Sequence, residues 1–123
     1  MDNLVSKGER KVRSCLFSMG ISFETEKEFD NLINPDTKAN LRFDFYLPEY
    51  NAVIEYDGSH HHTSNSKYHK GCKKSFIKQK KKDYIKDKYC KDNKIYMLRL
   101  DGSHYNKIAS IIKKFIDNIK SNN

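Results

Sequence analysis

The sequence predicts a single α/β domain built in the order helix, three strands, helix, strand, helix. Three observations predict it. Stretches with helical spacing of apolar residues alternate with short runs of strand character. A chain of 123 residues suits one hydrophobic core. No linker rich in Pro, Gly or Ser divides the chain, so these elements belong to one unit.

The first helix is predicted over residues 6–19. Ser6 followed by Glu9 makes a capping-box pattern, and Gly20 supplies the stop. Val5, Val12, Cys15, Leu16 and Met19 form its apolar stripe. Residues 21–29 predict a strand, and 30–40, "DNLINPDTKAN", a loop rich in turn formers. "LRFDFYL" (41–47) and "AVIEYD" (52–57) are strands joined by "PEYN". Residues 58–72 are polar and predict a loop. A lysine-rich helix follows over 73–91, with Phe76, Ile77, Tyr84, Ile85 and Tyr89 as its apolar positions. "KIYMLRL" (94–100) is the next strand. The last helix spans 103–120 and gathers Ile108, Ile111, Ile112, Phe115, Ile116 and Ile119 on one broad face.

The formal charge is +8, from 24 Lys and Arg against 16 Asp and Glu. That excess favours a polyanionic partner, nucleic acid first. The plain alternative is the lysine-rich surface of a protein from an AT-rich genome. Cys15, Cys72 and Cys90 are odd in number and widely spaced, which argues against a disulfide framework and for a reducing compartment. No signal-peptide pattern or membrane-spanning apolar run is evident, so the expectation is an intracellular (cytoplasmic) protein without a membrane partner.

The central hairpin is the most informative stretch. With Pro48–Asn51 as a four-residue loop, Leu47 faces Ala52, Phe45 faces Ile54, Phe43 faces Tyr56, and Asp44 faces Glu55. Alternation then puts Leu41, Phe43, Phe45, Ile54 and Tyr56 on one apolar face, and Asp44 and Glu55 together on the other. Opposed Cβ atoms lie roughly 4.5–5.5 Å apart. Two like charges repel by about 4 kcal/mol at 4 Å and an effective dielectric of 20. A divalent cation turns that repulsion into binding, since Mg²⁺ takes one or two carboxylates and keeps waters and phosphate oxygens. The competing readings are a bulge that shifts the register, or an acid turned to solvent or a lysine. Glu9 shares the stripe of Val12 and Leu16 and so points toward the sheet, although a capping role with Ser6 also accounts for it.

An acid in a first helix, "RFDF" (42–45), "IEYDGSHH" (54–61), Asp83 in a basic helix and "MLR" (97–99), in this order, resemble the PD-(D/E)XK nuclease superfamily. The closest likeness is to Vsr-type (very-short-patch repair) endonucleases and related small phage and homing endonucleases, and it covers roughly residues 6–100. The resemblance implies a restriction-endonuclease-like core, a mixed sheet of about four strands flanked by helices. It also implies Mg²⁺- or Mn²⁺-dependent phosphodiester hydrolysis. Asp44 and Glu55 would be metal ligands, with the Tyr56 backbone carbonyl a third, and Glu9 would assist a water or a second ion. Where the superfamily has a lysine two residues after the Glu, this chain has Asp57. Vsr-type relatives use histidine instead, which makes His61 the candidate general base. Asp57 could orient His61, or form a salt bridge with Arg42. Lys86 is a second candidate cation.

His60, His61 and His62 with His69 and Cys72 offer enough ligands for a structural Zn²⁺, but follow no standard spacing. A solvated loop in which one histidine works is the simpler reading. Cys15 and Cys90 fall on apolar helix faces and predict core positions. The second "DGSH", 101–104, lies between strand and helix, where Asp101 or Ser103 can cap, and His104 reads as surface. The expected function is a small metal-dependent endonuclease acting on double-stranded or branched DNA. Lys73, Lys74, Lys78, Lys80, Lys81, Lys82 and Lys86 would grip the backbone. One active site per chain predicts nicking, or a homodimer that cuts both strands. The alternatives are a structure-specific junction or flap resolvase and a non-catalytic DNA-binding module.

Overall fold

A computed structural model describes residues 6–57 and 69–122, with backbone alone over 69–76. Its elements follow the predicted order. They are α1 (Lys7–Ser18), β1 (Glu24–Ile33), β2 (Asn40–Leu47), β3 (Ala52–Asp57), α2 (His69–Asp92), β4 (Tyr96–Asp101) and α3 (Ile108–Ser121), the last preceded by a 3-10 turn over Gly102–Lys107. The sheet order is β1-β2-β3-β4, with β1–β2 and β2–β3 antiparallel and β3–β4 parallel. Parallel neighbours need a long crossover, and α2 lies within it.

Local chemistry sets most boundaries. Ser6 caps α1 by accepting the Glu9 N–H at 3.0 Å. The helix ends where Gly20 turns left-handed at φ 70°, a conformation glycine adopts without a Cβ clash. Asp101 caps the 3-10 turn by accepting the Ser103 N–H at 2.8 Å, while the Asp101 N–H donates to His104 Nδ1 at 3.0 Å. His104 is thus half of a capping box and not a bare surface residue. β1 runs further than the predicted 21–29. Its last residues pair with β2 after a register shift between Glu28 and Ile33, leaving only 34–39 to turn. Cross-strand pairing here overrides the turn preference of "DNLIN". α2 starts four residues before the predicted 73.

Two cores flank the sheet. On one face Val12, Cys15 and Leu16 of α1 and Ile108, Ile112, Ile116 and Ile119 of α3 pack on Phe45, Leu47, Ile54, Tyr56 and Leu100. On the other, α2 sets Cys90, Ile85 and Tyr89 against Leu41, Phe43, Val53 and Met97. Cys15 and Cys90 are free thiols and buried, as their positions on apolar helix faces predict.

This division corrects the expected faces. Leu41 and Phe43 lie under α2, while Phe45, Ile54 and Tyr56 lie under α1 and α3. The chain changes face at Asp44. In the β1–β2 register, Thr25 meets Phe45 and Lys27 meets Phe43, so Glu26 falls opposite Asp44, and Glu26 is left-handed at φ 53°. One non-extended residue in the pair interrupts the alternation on both strands. A second correction concerns α2. Ile77 and Tyr84, expected among its apolar positions, are 51% and 67% exposed, because the Ile85–Tyr89 side meets the sheet instead.

Candidate active site

The loop register is as the hairpin predicts: Phe45 pairs Ile54, Tyr46 pairs Val53 and Leu47 pairs Ala52. Beyond Phe45 and Ile54, two carboxylates bridge the strands. The Asp44 N–H donates to Glu55 Oε2 at 2.9 Å, and the Tyr56 N–H donates to Asp44 Oδ2 at 2.8 Å. Each acid therefore holds the backbone of the other's strand, beside the point where β2 changes face.

These two acids open into a cleft of about 420 Å³ lined also by Ser6, Glu9, Tyr56, Asp57, Gln79, Asp83, Lys86 and Arg99. α1 delivers Glu9 through its capped first turn. α2 delivers Gln79, Asp83 and Lys86, spaced four and three residues apart and so on one side of the helix. Gln79 Nε2 donates to Asp83 Oδ1 at 3.0 Å. Arg99 enters from β4 with Nη1 2.9 Å from Asp87 Oδ1. Its buried Nη2 lies 3.8 Å from Asp83 Oδ1, too far for a hydrogen bond.

Lys86 is the buried base of the cleft. It is 8% exposed, and its Nζ donates to Glu55 Oε1 at 2.8 Å. The same ammonium sits 5.4 Å from the Phe43 ring centroid. Lys86 thus stands apart from the outer lysines with which the sequence grouped it. It also revises the argument that a dication is needed to make the Asp44–Glu55 pair tolerable. Glu55 has the Lys86 ammonium and the Asp44 N–H, and the remaining repulsion falls on Asp44. Burial first, then the Glu55 charge, pushes the Asp44 carboxyl up from 3.8 to about 7, against the pull of the Tyr56 N–H and Lys86. Glu9 is also raised, by burial first and then by the charges of Glu26 and Glu55, while a backbone hydrogen bond from Ser6 and the Arg13 charge oppose the shift.

Asp57, which stands where the resemblance would call for a lysine, lines the cleft. Arg42, its expected partner, pairs with Glu28 at 3.1 Å and Glu26 at 3.6 Å on β1. Lys78, Lys80 and Lys81 are exposed on α2 and Lys82 is half-buried. His60, His61 and His62 lie outside the described residues, as do the side chains of His69, Cys72, Lys73 and Lys74. Gln79 was not anticipated in the cleft, and Arg99 only as the last residue of "MLR" in the resemblance. The spacing of Gln79, Asp83 and Lys86 as a polar stripe is the signal that finds the first.

Mg²⁺ or Mn²⁺ fits the donor chemistry, since Mg²⁺ is satisfied by one or two carboxylates with water and phosphate oxygens completing its shell. No group of three or more His, Cys, Asp or Glu side chains among the described residues could hold an ion by itself. An ion here would draw the rest of its shell from backbone, water and substrate. No helix among the described residues is long and apolar enough to cross a membrane.

No protein-family model matches the chain, and no solved structure matches it significantly. The chain is similar to Uncharacterized protein 094L of Frog virus 3 (isolate Goorha), 34% identical over 86 residues, covering 69% of this chain and 55% of that protein. It is also similar to Uncharacterized protein 307L of Invertebrate iridescent virus 6, 29% identical over 110 residues, covering 77% of this chain and 55% of that protein. The chain therefore spans about half the length of these viral relatives.

Proposed function

We propose that this chain is a metal-dependent nuclease domain with a restriction-endonuclease-like core, hydrolysing phosphodiester bonds in DNA. The observation that carries the reading is the charge of the cleft. Among the described residues five acids line it, Glu9, Asp44, Glu55, Asp57 and Asp83, against two bases, Lys86 and Arg99. Such a surface repels a phosphodiester unless a cation intervenes, while the chain as a whole is strongly basic.

Asp44 and Glu55 would hold the ion, with the Tyr56 carbonyl as a third protein ligand. Mg²⁺ or Mn²⁺ there would supply Lewis-acid polarisation of the scissile phosphate. Asp44 must lose its proton to ligate, which its value near 7 permits at neutral pH. Lys86 brings into the cleft the ammonium that Asp57 replaces in the superfamily pattern, 2.8 Å from Glu55, where it can stabilise charge developing on the phosphate. Glu9 would orient the attacking water. His61 is assigned to proton transfer on the sequence pattern alone.

Cleavage of supercoiled plasmid in Mg²⁺ or Mn²⁺ tests the reading. Wild type cleaves, Asp44→Asn and Glu55→Gln do not, and chelation stops the reaction. Equal cleavage by wild type and Asp44→Asn refutes the assignment. A non-catalytic DNA-binding module is the second reading, favoured by the Lys86–Glu55 pair, which already neutralises one ligand. It predicts salt-sensitive DNA binding without cleavage in either metal.

A further inference from the structure

α2 has a second flank that the cleft does not use. Ile77 and Tyr84 lie seven residues apart on it, exposed at 51% and 67%. Seven residues are two helical turns, which aligns the two side chains about 10 Å apart along the axis. Lys80 and Lys81 fall between them, one turn from each. Across from this stripe the β1–β2 turn contributes Pro35 and Asp36, and together they bound a groove of about 460 Å³. Among the described residues Asp36 is the one acid that lines it, and Lys81 meets that acid at 3.4 Å.

Ordinary explanations for the exposed pair fail on charge. A second copy docking through this stripe would set Lys80 and Lys81 against their own counterparts, which like charges disfavour. The partner must offer flat apolar surface and negative charge together. Unpaired nucleotides do so, because a base stacks on an aromatic ring while its phosphate meets a lysine.

We infer that the Ile77–Tyr84 flank of α2 is a stacking platform for unpaired bases of a nucleic-acid strand. The inference rests on the nucleic-acid reading above and narrows its substrate class to DNA with single-stranded or branched segments. Both flanks belong to one helix: Gln79, Asp83 and Lys86 face the cleft, and Ile77, Lys80, Lys81 and Tyr84 face the groove.

The test is fluorescence anisotropy of the full chain in chelator, with a labelled oligothymidylate and a labelled duplex of equal length. Tyr84→Ala weakens binding of the oligothymidylate by roughly 5- to 150-fold, the range for removal of one base–aromatic stack, and leaves the duplex nearly unchanged. Ile77→Ser weakens it less, and Tyr84→Phe, which keeps the ring, restores it. Exposure of both side chains makes folded variants the expectation, which circular dichroism melts verify. Unchanged single-strand affinity in Tyr84→Ala, or equal weakening on both DNAs, overturns the platform. So does a wild-type dimer that Tyr84→Ala splits. Plasmid cleavage is a separate readout: the platform can fail with cleavage intact, whereas no binding to either DNA sinks both.

Discussion

Asp44 carries the tension of the site, and its protonation makes that tension measurable. Its folded pKa of about 7 stands above the unfolded 3.8, so folding favours the protonated acid. The linked stability is fully present below about pH 4 and is lost as pH rises through 7. At about 1.4 kcal/mol per pH unit the loss is at most ~4 kcal/mol. Asp44→Asn keeps an acceptor for the Tyr56 N–H and does not titrate. Its melting temperature should exceed that of wild type by a margin that grows from pH 4 to 7 and is flat above, while Mn²⁺ binding is lost. A margin independent of pH would show that Asp44 does not titrate in this window. Lys86 makes the converse case. Lys86→Met leaves Glu55 with a buried charge lacking its ammonium and should destabilise the metal-free protein by about 3–5 kcal/mol. A dication can replace that ammonium as the counter-charge. Saturating Mn²⁺ should therefore raise the melting temperature of Lys86→Met more than that of wild type, and an equal rise would place the ion away from Glu55.

α1 reaches the sheet through Gly8, and the close approach fixes where Glu9 sits. A Cβ at Gly8 would run into the Tyr56 ring, so α1 packs on β3 only without a side chain there. Gly8→Ala should cost about 1–3 kcal/mol as overpacking, offsetting any gain in helix propensity, and should impair cleavage because Glu9 is the next residue. Tyr56→Leu in the same chain should recover part of the stability in a double-mutant cycle, and simple additivity would count against the clash. Tyr56 and Glu9 show what the sequence made legible. A four-residue loop sets the hairpin register, so Asp44 and Glu55 were readable as neighbours from "FDF" and "IEYD". A capping box and a 3.6-residue stripe bring Glu9 to the same sheet. The change of face at Asp44 was not readable, since it accompanies a left-handed Glu26, and glutamate carries no turn signal. Nor was the exposure of Ile77 and Tyr84. Both they and Ile85 with Tyr89 have helical spacing, and only tertiary packing decides which stripe of α2 is buried. Lys86 was legible only as a second candidate cation among many lysines, and it is the facing of its stripe to Glu55 that sets it apart.

The molecule as a whole separates its charges. The formal excess is +8, yet among the described residues the cleft has three more acids than bases, five less two. On the proposed reading, phosphate would be attracted to the outside of α2 and repelled in the cleft until a cation is present. The two effects should come apart under mutation. Replacing Lys78, Lys80 and Lys81, all exposed, with Gln should weaken DNA binding and flatten its salt dependence. The slope of log K against log salt should fall by roughly 0.9 for each phosphate that is no longer neutralised on duplex, and by about 0.7 on single strands. Mn²⁺ affinity, titrated by calorimetry without DNA, should stay the same, because none of these lysines lines the cleft. Asp44→Asn should do the reverse. Mn²⁺ affinity disappears, while DNA binding in chelator holds or tightens, since one group that repels phosphate has become neutral. If the lysine variant loses Mn²⁺ affinity, or Asp44→Asn weakens DNA binding in chelator, the grip and the cleft are one surface. The division between an attracting exterior and a cation-dependent interior would then be wrong.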